Sequence, residues 1–248
     1  MVEAWHEWVD DAYVSAVHVK VADASQLRTA LTENSIKRNH YVWVTGAKNN
    51  AVVAIGGEFL YSNPKTYTVR MGVTLRTRGY KSRDTLITDQ NGDFHIFIGY
   101  SDKQREEIEA QGYQIINLFN FGPALVIDGE LKYHEGDTWK YSVGYTKALQ
   151  PRTAIGQIGP LEYLMVVVDG RNVRCPRGDG TIKLAKGLNV VTLGQYMLDH
   201  GCVQAYTLDG GGSAAMYYHN DIFSVPNSKR GVTDIVYFAT LVSSAEAE

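Results

Sequence analysis

Cysteine is scarce in this chain of 248 residues, which limits the disulfide bonds and cysteine metal sites that the fold can contain. Only Cys175 and Cys202 are present, so a framework of disulfides is excluded, although a single bridge between the two is not. Neither belongs to a CxxC pair, so the spacing typical of a zinc site is missing. We expect both thiols to be reduced or buried. The 44% content of hydrophobic residues is ordinary for a globular protein.

The chain also lacks a long apolar run and a strong charge of either sign. No stretch approaches the roughly 18 apolar residues that can cross a bilayer, and the polar, acidic start MVEAWHEW does not resemble a signal peptide. With 24 basic and 27 acidic residues, the net charge of −3 gives no general attraction for nucleic acid or anionic membranes. Any phosphate affinity must therefore be local. The location stays open between a secreted or cell-envelope protein that has lost its signal peptide and an intracellular bacterial or phage protein.

Proline is rare as well, with six residues against 24 Gly and 16 Tyr, a balance that favours strands and turns over a helical bundle. No internal repeat, low-complexity segment or linker divides the chain. We therefore predict one α+β domain spanning residues 1–248, with its core at about 10–242, built on a mixed β-sheet with a few short helices. Regular alternation of strands and helices is missing, which makes a doubly wound sheet the weaker alternative.

Hydrophobic periodicity and capping patterns predict the individual elements. A helix is expected from Ser101 to about residue 111, and a second at residues 192–201, where Thr192 and Gln195 have capping-box spacing. The pair Asp128 and Gly129 is typical of a hairpin turn. Residues 23–33 read as a further helix, and strands are expected at residues 13–21, 41–44, 51–55, 69–75 and 94–98.

The most informative segment is DGGGS at residues 209–213, which directly follows an apolar run. Three successive glycines suit neither a strand interior nor a helix, whereas at a strand end their N–H groups can form a concave surface for an oxyanion. The Val-rich run at residues 163–168 also ends in an Asp-Gly pair, at Asp169. Functional groups gather at such strand ends in sheet proteins. A flexible hairpin is the alternative for the glycines taken alone.

Six short segments follow one another along the chain: AIGGEF (54–59), YTVRMG (67–72), FGPALV (121–126), PRTAIGQ (151–157), VDGR (168–171) and LDGGGS (208–213). In this order they resemble the phosphodiester glycosidase family, and together they cover most of residues 10–240. The resemblance implies a hydrolase that cleaves the glycosidic bond of a sugar-1-phosphodiester, with a small-molecule or glycan phosphodiester as its partner. Two positions depart from the family pattern, since Gly56 and Thr207 stand where members usually carry Asn.

Cleavage of such a substrate at the anomeric carbon needs cationic or N–H stabilisation of the departing phosphate and a carboxylate beside the sugar. Arginine suits the first task because its planar fork binds two phosphate oxygens. Each candidate arginine has a surface or salt-bridging role as its alternative. Placement within the family segments assigns phosphate binding to Arg70, Arg152, Arg171 and the backbone of Gly210, Gly211 and Gly212.

Among the carboxylates, Asp209 is the first candidate for acid–base or electrostatic work and Glu58 the second. Asp169 is assigned to substrate binding, with a turn-stabilising role as the alternative. Ser213 is a further phosphate donor or a cap of the next element. The three carboxylates could also converge on a hard cation, but no EF-hand or HExxH pattern supports this, and neither a metal nor a cofactor is predicted.

These assignments make a spatial prediction: Glu58, Arg70, Arg152, Arg171 and Asp209 should line one cleft, because an unpaired charge is costly inside a core. The departures at positions 56 and 207 leave a second function open. In that alternative the chain has little or no activity and serves as a module that binds phosphate or nucleotide-sugars. A third reading is hydrolysis at phosphorus with the same arginines.

Overall fold

A computed structural model describes residues 1–61, 65–79, 81–134, 141, 146–228 and 230–241. Strands dominate, and the helices are short. The α-helices of the described residues are α1 (Val42–Lys48), α2 (Asp102–Ala110) and α3 (Val190–Asp199), with 3-10 turns at Ala24–Gln26, Thr32–Asn34 and Gly211–Ser213. The strands are β1 (Val2–Val9), β2 (Ala12–Lys20), β3 (Leu27–Leu31), β4 (Ala51–Gly56), β5 (Thr68–Arg70), β6 (Val73–Arg76), β7 (Thr85–Asp89), β8 (Phe94–Phe97), β9 (Ile115–Phe119), β10 (Ala124–Ile127), β11 (Glu130–Leu131), β12 (Arg152–Gly159), β13 (Glu162–Asp169), β14 (Val173–Pro176), β15 (Ile182–Ala185), β16 (Gln204–Leu208), β17 (Met216–Tyr218), β18 (Asp221–Ile222) and β19 (Asp234–Ala239).

The strands form three larger sheets and one hairpin. The seven-stranded sheet has the order β1-β2-β13-β12-β16-β10-β11, and the two five-stranded sheets have the orders β18-β17-β4-β19-β3 and β6-β5-β9-β7-β8. Strands β14 and β15 make the hairpin. Every strand pairing among the described residues is antiparallel, so the expected mixed sheet is wrong. The α+β description holds only in a sheet-dominated sense.

The seven-stranded sheet is buried on both faces, which explains its continuous apolar runs. Successive side chains of a strand point to opposite faces. Val167 and Met165 therefore pack toward the five-stranded sheets, in one cluster with Ile55. Val166 and Val168 face the other way and pack with Leu193 and its neighbours on α3. Alternate residues of the Val run of β13 thus belong to two hydrophobic clusters, one on each face of the sheet.

Three predicted elements differ from the structure. The single strand expected at residues 69–75 is interrupted by a turn at residues 71–72 and forms the antiparallel pair β5 and β6. The other two are wrong because strand pairing and packing outweigh local signals. The capping box at Asp23 and Gln26 forms as expected, but it caps only the 3-10 turn Ala24–Gln26. The following residues form β3, which pairs along its length with β19. Conversely, residues 41–44 were expected to form a strand but lie at the start of helix α1. This helix buries Val42 and Thr45, which are three residues apart and therefore on one helix face.

Other local predictions are confirmed. Ser101 caps α2 in a capping box with Gln104, and the Asp128–Gly129 turn joins β10 to β11. Helix α3 begins three residues earlier than expected, because Asn189 rather than Thr192 provides the cap. Both cysteines are free and buried. No helix of the described residues is long and apolar enough to span a membrane.

Candidate active site

Three strand ends meet at one edge of the seven-stranded sheet. Strands β13 and β16 both pair antiparallel with β12, so the two run in the same direction and end where β12 begins. Arg152, the first residue of β12, lies opposite Val168, and Thr153 lies opposite Leu208. The Asp-Gly pairs that follow β13 and β16 are therefore delivered to the same edge as Arg152. This explains how segments more than 50 residues apart in sequence come together.

A cleft of about 310 Å³ opens at this edge. Its size lies at the lower end of the range for small-molecule sites. Among the described residues that line it, three are arginines and one is an aspartate, so their summed charge is positive. The lining residues are Gln150, Pro151, Arg152, Arg171, Leu208, Asp209, Gly210, Gly211 and Arg230.

The glycine loop is compact because its backbone lies against neighbouring groups. A Cβ on Gly210 would lie 2.7 Å from the Pro151 carbonyl oxygen, and one on Gly212 would lie 2.6 Å from Ser228 Oγ. Gly211 has φ of +59°, where side chains are disfavoured. Its N–H donates to the Pro151 carbonyl at 2.8 Å. The N–H groups of Gly210 and Gly212 are not engaged by any described residue.

Asp209 is nearly buried and is held by an arginine that the sequence analysis did not select. Nη2 of Arg230 lies 3.2 Å from both carboxylate oxygens of Asp209, and its Nε donates to Ser213 Oγ at 2.8 Å. Burial raises the pKa of Asp209 to about 6, while Arg230 and the Ser213 hydroxyl act in the opposite direction. A carboxylate with this pKa can exchange a proton near neutral pH.

Arg171 lies on the other side of the glycine loop and is exposed. Its Nε donates to Gln150 Oε1 at 2.8 Å, and no described residue engages its two terminal nitrogens. Nη2 of Arg171 lies 3.1 Å from the position of a Cβ on Gly211, and Nε of Arg230 lies 3.6 Å from one on Gly212. Two guanidinium groups therefore flank the loop at successive residues.

Arg152 is buried at the base of the cleft. Its Nε donates to the Leu188 carbonyl at 3.0 Å, and its Nη2 donates to the Ala148 carbonyl at 2.8 Å. These two backbone carbonyls help to fix the orientation of its guanidinium group.

Arg70 and Glu58 do not line the cleft, contrary to the spatial prediction. Both are at most 4% exposed and belong to a buried cluster with Asp234. Arg70 binds Glu58 through Nη2 at 2.5 Å and Asp234 through Nε at 2.8 Å, and its Nη1 donates to two backbone carbonyls. The guanidinium also lies 4.0 Å from the centre of the Phe119 ring. The isolated charges pair with one another, so they need no ligand.

This buried cluster lies directly behind the wall of the cleft. The Glu58 N–H donates to Asp234 at 2.9 Å, and the Gly57 carbonyl accepts the N–H of Asp209 at 2.9 Å. Burial raises the pKa of Glu58 to about 7, against the opposing effect of Arg70 and with a further rise from Asp234. The Glu58 segment thus supports the backbone of Asp209 without presenting its own carboxylate.

Asp169 is also buried and lies outside the cleft lining. One of its oxygens, Oδ2, accepts the N–H of Val225 at 2.9 Å. Burial raises its pKa to about 7. Arg171 is two residues further along the chain. The buried Asp169 side chain therefore anchors the start of the turn that carries Arg171.

The two departures from the family pattern do not reach the cleft lining. Gly56 is the last residue of β4, where a Cβ would lie 3.1 Å from Val232 Cγ1, 3.6 Å from the Ser213 carbonyl oxygen and 3.8 Å from Val42 Cγ2. The Thr207 hydroxyl donates to the Pro123 carbonyl inside the core. Both positions are therefore used in packing.

Arg230 and Asp234 are the residues that sequence reasoning missed. Arg230 follows Lys229 directly, lies four residues before the start of β19 and is outside the six family segments, so no sequence signal distinguished it. No group of three or more His, Cys, Asp or Glu side chains in the described part of the chain is arranged to hold a metal ion.

The family model described as phosphodiester glycosidase matches residues 49–239. This chain belongs to the phosphodiester glycosidase family. A curated relative, the SPbeta prophage-derived uncharacterized protein YomE of Bacillus subtilis, is 26% identical over 172 residues, or 67% of this chain. The chain spans only 24% of the length of that relative.

Solved structures share the fold of this family member. The catalytic domain of zebrafish N-acetylglucosamine-1-phosphodiester alpha-N-acetylglucosaminidase, auto-inhibited by its pro-peptide, superimposes with a TM-score of 0.71 at 18% identity, covering 97% of this chain and 83% of that one. A hypothetical protein from Synechocystis gives 0.59 at 12% identity, over 94% of this chain and 61% of that one. At these identities the likeness establishes the fold.

Proposed function

We propose that this protein hydrolyses the glycosidic bond of a sugar-1-phosphodiester, releasing a free sugar and a phosphomonoester. Water attacks the anomeric carbon, the bond from that carbon to the phosphate oxygen breaks, and the oxygen leaves with its electron pair on phosphate. The observation that carries this proposal is the cleft in which Asp209 lies beside three guanidinium groups and an open glycine loop.

The phosphate site is proposed to lie over the glycine loop, between Arg171 and Arg230. Donors available there are the terminal nitrogens of Arg171, Nη1 of Arg230 and the N–H groups of Gly210 and Gly212. Guanidinium forks and backbone N–H groups are well suited to phosphate oxygens. Such donors stabilise the charge that develops on the leaving phosphate. Arg152 also lines this cleft.

Asp209 is proposed as the group that takes the proton from the attacking water or stabilises the positive charge on the sugar. Its pKa of about 6 leaves it largely ionised at neutral pH. Glu58, the second carboxylate selected from the sequence, is sequestered by Arg70 and is assigned here to support of the Gly57 backbone. The phosphate leaves as a stabilised anion, so the reaction does not require a strong general acid.

Release of sugar from a sugar-1-phosphodiester, or from a UDP-sugar with UDP as the leaving group, tests the proposal. We expect Asp209→Asn to lower kcat by about 10²- to 10⁴-fold, the usual contribution of acid–base catalysis. Asp10→Asn makes the same chemical change at an exposed turn and should leave turnover unchanged. Full turnover by Asp209→Asn would refute the role of Asp209. Label from ¹⁸O-water should appear in the sugar, whereas label in phosphate would indicate cleavage at phosphorus.

The second candidate function is a module that binds phosphate or nucleotide-sugars without turning them over. The changes at Gly56 and Thr207 favour it, because two polar side chains of the family pattern are missing. Their location in the packing rather than in the cleft lining weakens that argument. Calorimetry combined with product analysis separates the two functions, since tight binding without any released sugar supports the module and release of sugar excludes it.

A further inference from the structure

Three buried polar atoms that have no hydrogen-bond partner among the described residues belong to adjacent strands of the seven-stranded sheet: Ser15 Oγ on β2, Asp169 Oδ1 on β13 and Thr153 Oγ1 on β12. The residues are at most 1% exposed. A buried polar atom without a partner costs about 1–3 kcal/mol, and native structures contain few of them. Three in one place therefore point to a common cause.

The strand register places all three side chains on the same face of the seven-stranded sheet. Val167 pairs with Ser15 on one side and with Thr153 on the other, and residues directly opposite each other share a face. Asp169 is two residues beyond Val167 on the same strand and therefore points to that face as well. Ser15 and Thr153 are two strands apart, about 9.6 Å, and Asp169 lies diagonally between them.

The segment that covers this face runs through Phe223 and Val225. His6, which pairs with Ser15, stacks on Phe223 and contacts its carbonyl at 2.8 Å. Val225 donates its N–H to the second oxygen of Asp169 at 2.9 Å. This segment therefore covers the sheet face near Ser15 and Asp169, whereas Thr153 lies opposite Leu208, a residue of the cleft lining.

We propose that Ser15, Thr153 and Asp169 enclose a buried hydration site occupied by about two ordered water molecules. A water bridges groups separated by up to about 5.5 Å, twice a normal hydrogen-bond length. One water therefore cannot join the two hydroxyls, but one on each side of Asp169 can. Hydroxyls both donate and accept, so each water finds the two to four polar partners that a buried water requires.

The site has a structural consequence for the cleft. Asp169 connects to both arginines that flank the glycine loop. The turn that carries Arg171 begins at the backbone of Asp169, where β13 ends. The segment that leads to Arg230 is hydrogen-bonded to the Asp169 side chain through the N–H of Val225. Hydration of Oδ1 fixes the orientation in which Oδ2 accepts that N–H. The proposal does not depend on the catalytic function.

Substitutions that remove the hydroxyls give opposite results for a hydrated and a dry site. If waters are bound, Thr153→Val and Ser15→Ala each leave a water without a partner, and each should raise the unfolding equilibrium constant about five- to tenfold in urea titrations. If the site is dry, they remove an unsatisfied atom, and the constant should stay the same or fall. Thr88→Val, which breaks an observed bond from Asn117 Nδ2 at 3.0 Å, calibrates the loss of one buried hydrogen bond.

A crystal structure of the full chain at about 1.5 Å resolution provides the direct measurement. Water density within hydrogen-bond distance of Asp169 and at least one of the two hydroxyls is the expected result. Direct hydrogen bonds among the three side chains, a bound metal ion or empty density would each overturn the proposal. A neutral or stabilising Thr153→Val would overturn it independently.

Discussion

The cleft and the buried cluster behind its wall contain the same kinds of side chain in different surroundings. In the cleft, Arg171 and Arg230 retain donors that no described residue engages, and Asp209 faces a space of about 310 Å³. In the cluster, every nitrogen of Arg70 is bonded to a carboxylate or a carbonyl. A guanidinium can bind substrate only where its donors are not already satisfied by the protein. Burial, rather than residue type, decides between the two roles.

Loss of the buried arginine should have the largest effect. Arg70→Met leaves Glu58 and Asp234 buried without their cation and should lower the free energy of unfolding by about 3–5 kcal/mol at pH 8. At pH 5 the loss should be smaller, because Glu58, with a pKa of about 7, is then protonated. Urea titrations at both pH values measure this.

A matched control for Arg70→Met is the removal of an exposed arginine. Arg171→Met should change the free energy of unfolding by no more than about 0.5 kcal/mol. Equal destabilisation by the two substitutions would remove the distinction between cluster and cleft.

Asp169→Asn should alter how stability depends on pH. The folded-state pKa of Asp169, about 7, lies above its unfolded value near 3.8. The folded protein therefore binds more protons between these values, and stability falls as pH rises from about 4 to about 7. Asn cannot ionise, so the variant should be more stable than the parent at pH 8, by an amount on the order of 3 kcal/mol. Parallel pH profiles for the two proteins would contradict the buried, ionisable role of Asp169.

Substitution of an arginine should weaken phosphate binding only when that arginine lines the cleft. Arg171→Gln and Arg230→Gln each remove charged hydrogen bonds of about 1.5–3 kcal/mol, so calorimetric Kd values for a phosphate monoester should rise about 10- to 100-fold. Lys103→Gln, on the exposed surface of α2, removes the same charge elsewhere and should leave Kd unchanged. If Arg171→Gln and Arg230→Gln bind phosphate normally, the proposed phosphate site is wrong.

The smallest effect is expected at Gly56. Gly56→Ala places a methyl group 3.1 Å from Val232 Cγ1, a tight contact that a small shift relieves. We expect less than about 1 kcal/mol of destabilisation and unchanged turnover, because the residue does not line the cleft. The larger Gly56→Asn should destabilise the protein rather than raise its activity. A rise in turnover would show that this position does reach the substrate.

Local sequence signals predicted some elements well and failed where long-range pairing dominated. The Ser101 capping box begins a helix because nothing in the tertiary structure opposes it. The similar box at Asp23 yields only one 3-10 turn, since Leu27–Leu31 forms five pairs with β19, more than 200 residues away. A capping box defines where a helix can start, but it does not make the following residues helical.

The sequence predicted only part of the candidate site. The order of the family segments and the Asp-Gly pairs indicated Arg152, Arg171, Asp209 and the three glycines, of which all but Gly212 line the cleft. Arg230 lies outside the six family segments, so no motif indicated it. Arg70 and Glu58 were placed in the same site because a sequence shows that a charge follows an apolar run, but not which other charge it pairs with.

The sequence by itself determined the family, the preponderance of strands and the glycine loop after β16, because each depends on residue types and spacings within short segments. Only the tertiary structure decided which arginines stay available to a ligand. Arg70 and Arg171 have similar local contexts, yet one meets two carboxylates across the fold and the other meets a glutamine amide and the open cleft. The availability of a side chain depends on partners that are distant in sequence, and their identity is fixed only when the strands have paired.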